Sequence, residues 1–222
     1  MPPWQATGER GQFVGDRRLS DAEVDIVRRW LAAGALRGNP DDLTAPPPAT
    51  GEWELGAPDL VVQLERPYDL PAGGGDRLRN FVVPLPVSGP CYVRAWEFKT
   101  TAASVVHHAT LMVDRGDGAR RMDAETPESG YEGLIPFSAQ SPDGYFLGWT
   151  PGQRAQAVDT ELAWGIQPGN DLIVMLHMKP GAQTERVDAS VALYFSDRPP
   201  AREPVMIRLN RQDLDIRPGD AA

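Results

Sequence analysis

The sequence predicts an all-β protein, an antiparallel jelly-roll-like sandwich preceded by one short amphipathic helix. Glycine and proline each occur 22 times in 222 residues. Together they make up about a fifth of the chain, against a usual share of roughly 12%. Hydrophobic residues account for 41% of the chain, which excludes a disordered protein. Short apolar segments separated by turn-forming residues favour a sandwich over alternating strands and helices.

The amino-terminal helix is predicted over residues 21–33. Ser20 and Glu23 have the spacing of a capping box, in which the two side chains bind free backbone amides at a helix start. Gly34 stands where a left-handed C-terminal cap is favoured. Apolar residues recur at helical spacing at Val24, Ile26, Val27, Trp30 and Leu31. Because this segment holds almost nothing to cover that face, we expect residues 1–40 to be separate from the rest.

A proline-rich linker is predicted over residues 41–51. It contains three successive prolines among small polar residues, a composition that favours an extended polyproline conformation. We therefore expect the β-sandwich to occupy residues 52–200. A possible further strand from Val205 to Leu209 precedes another Pro-Gly turn, so residues 201–222 are interpreted as the truncated start of a following domain.

The strands of the sandwich are predicted from hydrophobic patterning. Alternating residues near 190–195 are typical of a half-buried strand, whereas 105–113 and 172–178 are apolar on both faces and suit central strands. The acidic segment 115–143 has little periodicity and is expected to be a surface excursion that could border a site. The longer candidates are 59–65, 78–84, 91–100, 105–114, 171–178 and 188–196, with shorter ones between 144 and 166.

Charge and composition exclude several classes of partner. The net charge is −9, from 22 basic and 31 acidic residues, so nucleic acid and anionic membrane surfaces would be repelled. No apolar stretch approaches the ~20 residues that cross a bilayer, and the first residues lack a signal-peptide pattern, so membrane insertion is not expected. The single cysteine, Cys91, cannot form an internal disulfide or a thiolate cluster and is interpreted as a small buried hydrophobe.

The three histidines, His107, His108 and His177, are the candidate metal ligands. Each lies in an apolar strand, where an imidazole without a partner costs about 1–3 kcal/mol. A metal ion would accept one lone pair from each ring, and neutral imidazoles suit copper, zinc, iron or nickel. Adjacent residues of a regular strand point to opposite faces, so His107 and His108 reach one ion only at a bulge or a strand end.

Other interpretations of the histidines stay open at this level. They could be structural residues of a non-catalytic sandwich that docks to partner domains, or an open zinc site whose bound water makes the protein a hydrolase. Candidates to orient a ligating histidine are Asp143, Asp159, Glu161 and Asp171. Residues interpreted as core filling or core anchors are Met112, Met175, Met178, Trp53, Trp96, Trp149 and Trp164.

Two segments resemble a known family. VVHHATLMV (105–113), followed later by NDLIVMLHMKPGAQTE (170–185), is similar to the N-terminal domain of copper type II, ascorbate-dependent monooxygenases, the peptidylglycine and dopamine β-monooxygenase family. Both domains of those enzymes are antiparallel jelly-roll sandwiches. WELGAPDLVV, NFVVPLP and GYFLGWTPG resemble bacterial members in which this module follows a c-type cytochrome. Residues 1–40 resemble the end of that cytochrome, with Met1 in the place of the axial haem ligand.

The resemblance implies a role for the three histidines. His107, His108 and His177 would ligate one copper ion, which receives electrons from ascorbate or an adjoining haem. That ion passes them to a second copper, which activates O2 to hydroxylate a C–H bond and is held in the C-terminal domain by a His-x-His pair and a methionine. This chain has no His-x-His, so the oxygen-activating copper site is not expected in it. It also has no Cys-x-x-Cys-His, so haem is not expected in it.

We therefore expect the middle piece of a longer enzyme or the product of a mis-called or truncated reading frame. It would be partnered by a C-terminal copper domain and an upstream cytochrome c domain, and would be inactive in hydroxylation by itself. The family's cytochrome-fused members are exported, so the resemblance implies a periplasmic or extracellular location.

Overall fold

The computed structural model describes residues 18–42, 52–153, 155, 161–202 and 204–207. The chain divides into two compact units, Met1–Thr50 and Gly51–Ala222. The sequence predictions for Met1, for residues 43–51 of the linker, for Asp159 and for residues 208–222 lie outside the described residues.

The first unit contains the predicted helix, α1, at Asp21–Ala32. The capping box is present, because the Ser20 hydroxyl accepts a hydrogen bond from the Glu23 amide at 3.2 Å and the Glu23 carboxylate accepts one from the Ser20 amide at 2.6 Å. Gly34, with φ +88°, ends the helix as predicted. No residue of α1 is buried, and Trp30 on the apolar face is 50% exposed. A 3-10 turn follows at Pro40–Asp42.

The described part of the second unit contains twelve strands, which confirms the all-β prediction. They are β1 Leu60–Gln63, β2 Tyr68–Leu70, β3 Arg77–Pro84, β4 Cys91–Thr100, β5 Val106–Asp114, β6 Tyr131–Glu132, β7 Ala139–Gln140, β8 Leu147–Trp149, β9 Trp164–Ile166, β10 Asp171–Met178, β11 Glu185–Val187 and β12 Ala189–Ser196. A short helix, α2, spans Gly118–Ala124. No helix among the described residues is long and apolar enough to cross a membrane.

The strands form two main antiparallel sheets. The four-stranded sheet has the order β1-β12-β4-β9, and the six-stranded sheet has the order β6-β3-β10-β5-β7, with β8 also paired to β5. A separate two-stranded sheet joins β11 to β2. The long strands β3, β4 and β5 alternate between the main sheets along the chain, as β9, β10 and β12 do later. This alternation is the connectivity expected of a jelly-roll-like sandwich.

The core lies between the two main sheets, and strand β10 shows which residues face it. Leu172, Val174, Leu176 and Met178 point into the core and are at most 1% exposed. Burial of each such side chain contributes about 1.5–3 kcal/mol. The intervening residues, among them His177, therefore project from the outer face of the six-stranded sheet.

Segment 115–143 is only partly the surface excursion that its composition predicts. Ala119 of α2 and Tyr131 of β6 are buried, at 0% and 1% exposed, in a cluster with Ile173 on the outer face of the six-stranded sheet. The physical reason is that β10 is apolar on both faces, so its outward Ile173 also requires a cover. This cluster does not include His177, which lies further along β10 and stays partly exposed.

Several expectations about single residues are modified by the structure. Trp164 is buried in the main core, but Trp53 lies in a separate cluster with Tyr194 on the outer face of the four-stranded sheet. Cys91 is only partly buried against the core. The strand predicted from Val205 is absent from its described residues, 205–207.

Candidate metal centre

The two strands that carry the histidines are neighbours in the centre of the six-stranded sheet. His177 of β10 pairs with His108 of β5, but the next pair joins Met178 to Val106, so His107 is an extra residue on β5. This register shift is a β-bulge, in which two residues of one strand face one residue of its partner. The bulge that would turn both adjacent histidines toward His177 is therefore present.

The three imidazole rings form a compact cluster. Their centroids are separated by 5.4 Å for His107 and His108, 5.0 Å for His107 and His177, and 4.9 Å for His108 and His177. One possible ligand atom from each ring lies within 4.8 Å of the other two. Since metal–nitrogen bonds are about 2.0–2.1 Å long, one ion needs nitrogen separations of at most about 4.2 Å. Small ring rotations would meet that limit.

The cluster is accessible and electronically suited to a cation. His107 is exposed, while His108 and His177 are partly buried. Burial, followed by the neighbouring rings of His177 and His107, lowers the pKa of His108 below its ordinary value of 6.5. This imidazole is consequently neutral at pH 7 and offers a lone pair. The structure brings all three predicted residues together, while metal binding itself stays a prediction.

A carboxylate that sequence reasoning missed contacts the cluster. The Asp76 Oδ2 atom lies 2.7 Å from the His177 Nε2 atom. Asp76 precedes β3, and Leu78 of β3 pairs with His177. Residues two apart on a strand share a face, so Asp76 is the diagonal neighbour of His177 on the outer face of the sheet. The signal that would have found Asp76 is the β3–β10 register.

The prediction of an orienting role is wrong for Asp143 and Asp171. The Asp143 carboxylate accepts hydrogen bonds from Arg115 at 2.6 Å and from the Gly165 amide at 2.7 Å. Asp171 is fully buried and is bound by two nitrogens of Arg120. It lies six residues from His177 on the same strand, about 20 Å at the usual rise per residue. The Glu161 carboxylate is 3.1 Å from Arg202.

The methionines near the histidines have different environments. Met178 is fully buried between the sheets, and Met112 packs in the outer cluster around Ile173, so both fill apolar space as predicted. Met175 is partly buried on the face that carries His177 and pairs with Thr110.

Fold and site together define an antiparallel β-sandwich with a three-histidine cluster able to hold a metal ion. No family model matches the chain, and neither a curated protein nor a solved structure matches it.

Proposed function

We propose that the chain is the copper-binding electron-transfer domain of a copper-dependent monooxygenase that hydroxylates a C–H bond with O2 and a reductant such as ascorbate. The observation that carries the proposal is the bulge at His107, which places two imidazoles opposite His177. Further support comes from the sandwich fold and from the family resemblance of β5 and β10, the two strands that hold the cluster.

The donor set fits copper. Three imidazoles without a thiolate suit a copper ion that alternates between one and two positive charges, which is the one-electron chemistry that copper would supply here. The single cysteine, Cys91, begins β4 in the other main sheet and does not belong to the cluster. His107, His108 and His177 would hold the ion, and the hydrogen bond to Asp76 would hold the His177 ring.

The chain would supply only one of the two copper sites. Its three histidines all lie in this cluster, so it has none left for a second histidine-rich site. We propose that a C-terminal copper domain supplies the oxygen-activating ion and that ascorbate or an upstream cytochrome c domain supplies electrons. The periplasmic or extracellular location remains a prediction from the resemblance.

A zinc-dependent hydrolase is the second candidate, favoured by the exposure of His107, which leaves one side of the cluster open to water. It ranks second because a hydrolytic site also needs a general base. The carboxylate that contacts the cluster, Asp76, is already hydrogen-bonded to His177.

Metal analysis tests the proposal. The purified protein is loaded with copper and zinc in competition, desalted and measured by mass spectrometry beside His108→Ala and His177→Ala. Leu78→Ala is the matched control, because Leu78 is a 53% exposed neighbour of His177 without a donor atom. We expect about one copper per wild-type chain and per Leu78→Ala chain, and much less in the histidine variants. Equal copper in all four proteins would refute the proposal, and retention of zinc in place of copper would support the hydrolase.

A further inference from the structure

We propose that Asp76 is a positioning residue that fixes the His177 ring for the metal, presents its Nδ1 atom to the ion and favours the doubly charged state of copper. This inference rests on the proposed function. It begins from the 2.7 Å contact between the Asp76 Oδ2 and His177 Nε2 atoms.

The contact determines which nitrogen of His177 is available. An ionised carboxylate can only accept hydrogen bonds, so the Nε2 atom of His177 must carry the proton that it donates to Asp76. In the neutral ring the lone pair then belongs to Nδ1. On the other strand, the Nδ1 atoms of His107 and His108 are 3.2 Å apart. Of the two neutral forms of His177, Asp76 thereby selects the one whose lone pair lies on Nδ1.

The chain is held by backbone hydrogen bonds both before and after Asp76. Its loop follows β2, which pairs with β11, and leads directly into β3, which pairs with β10. The Gly73 amide donates a hydrogen bond to the Gly181 carbonyl at 2.9 Å, which links this loop to the turn that follows His177. Gly73 and Gly74 have φ of +67° and +85°, a region in which glycine is unstrained. The backbone that carries Asp76 is therefore held by contacts that do not depend on an ion.

Asp76 distinguishes His177 from the other two rings. In the described part of the chain, Asp76–His177 is the one contact of an acidic side chain with a member of the cluster. A carboxylate partner makes a ligating imidazole a stronger donor, and its negative charge stabilises the more highly charged copper ion. The Asp76 side chain is 53% exposed, so water and salt reduce this electrostatic effect without removing it.

Substitutions at Asp76 separate positioning from net charge. Asp76→Asn removes the charge, Asp76→Glu restores it on a longer side chain, and His177→Ala removes the ligand itself. Asp69→Asn is the matched control, because Asp69 of β2 is 69% exposed and its one ion pair among the described residues is a 3.9 Å contact with Arg186. Each variant is tested for doubly charged copper affinity by chelator competition, for its electron paramagnetic resonance spectrum and for its reduction potential.

We expect Asp76→Asn to bind doubly charged copper about 10–100-fold more weakly than wild type. Its copper hyperfine pattern should change and its reduction potential should rise. Asp76→Glu should recover part of both effects, and Asp69→Asn should match wild type.

Three outcomes overturn the inference in distinguishable ways. Wild-type values in Asp76→Asn, beside lost copper in His177→Ala, would refute the role of Asp76 and leave the proposed function standing. Equal changes in Asp76→Asn and Asp69→Asn would show an effect of net charge alone. A wild-type protein that retains no copper would refute both proposals.

Discussion

Deletion of His107 is the most direct test of the bulge. Without this residue, Val106 precedes His108, and the pairs Met178–Val106 and His177–His108 become consecutive. The inward residues of β5 then keep their positions, including Val106 and Leu111, which are at most 1% exposed. The loss is confined to one exposed imidazole and one unpaired backbone position. We therefore expect a reduction of about 1 kcal/mol or less in the free energy of unfolding.

Deletion of Thr110 is the matched comparison, because it removes a regular position of the same strand. The shortened strand must shift by one residue on one side of the gap, which reverses the faces of the side chains there. If the shift falls on the C-terminal side, Leu111 and Val113 leave the core, where they are 0% and 2% exposed. At about 2–5 kcal/mol for each large aliphatic side chain lost from a core, the cost approaches a typical total stability of 5–15 kcal/mol.

The assay combines urea unfolding, followed by circular dichroism, with copper competition. We expect the His107 deletion to fold and to bind copper as weakly as His107→Ala, since both variants lose the same ligand. The loss should exceed the roughly 10–100-fold effect of removing an outer partner. The reasoning is refuted if the His107 deletion destabilises the fold as much as the Thr110 deletion, or if it binds copper better than His107→Ala.

Two further predictions concern buried polar groups. Glu97 accepts hydrogen bonds from the Glu54 and Leu55 amides at 2.8 Å and from the Tyr194 hydroxyl. Glu97→Ala should lower the free energy of unfolding, measured by urea unfolding, by about 3 kcal/mol. An unchanged urea midpoint would contradict this. Burial raises the pKa of Tyr131 from 10.0 to about 12. Between these two pH values the folded protein keeps a proton that the unfolded chain releases, so the free energy of unfolding falls as the pH rises from one to the other. From about pH 8 to about pH 11, the urea midpoint should fall less for Tyr131→Phe than for wild type. An equal fall would contradict the raised pKa of Tyr131.

Long strands with a strong hydrophobic pattern could be predicted closely from the sequence. β4 and β10 have the predicted bounds, 91–100 and 171–178, because their patterns continue without a break to flanking turn residues. The three-residue strands β2 and β11 were not predicted. They are too short to show a period, and they exist because distant segments meet at Tyr68–Val187 and its neighbouring pairs.

The three candidate ligands of the site could be predicted from the sequence, but the carboxylate that contacts one of them could not. His107, His108 and His177 are scarce residues in apolar surroundings, and the requirement for a bulge or a strand end at the adjacent pair follows from strand geometry. Asp76 could not be found in the same way, because its contact with His177 depends on the β3–β10 register. Asp171 shares a strand with His177 but lies at its opposite end, where Arg120 binds it.

The surroundings of the cluster support the proposed electron transfer better than they support hydrolysis. His108 and His177 lie on central strands, with β3 on one side of β10 and β8 on the other side of β5, and Asp76 supports the ring of His177. A ligand set held in this way would change little if the charge of a bound ion changed, which would favour fast one-electron exchange. Hydrolysis instead requires a free base beside a bound water, and the neighbouring carboxylate already supports a ligand. The hydrogen bond by which Asp76 would hold His177 would therefore also keep it from acting as a general base.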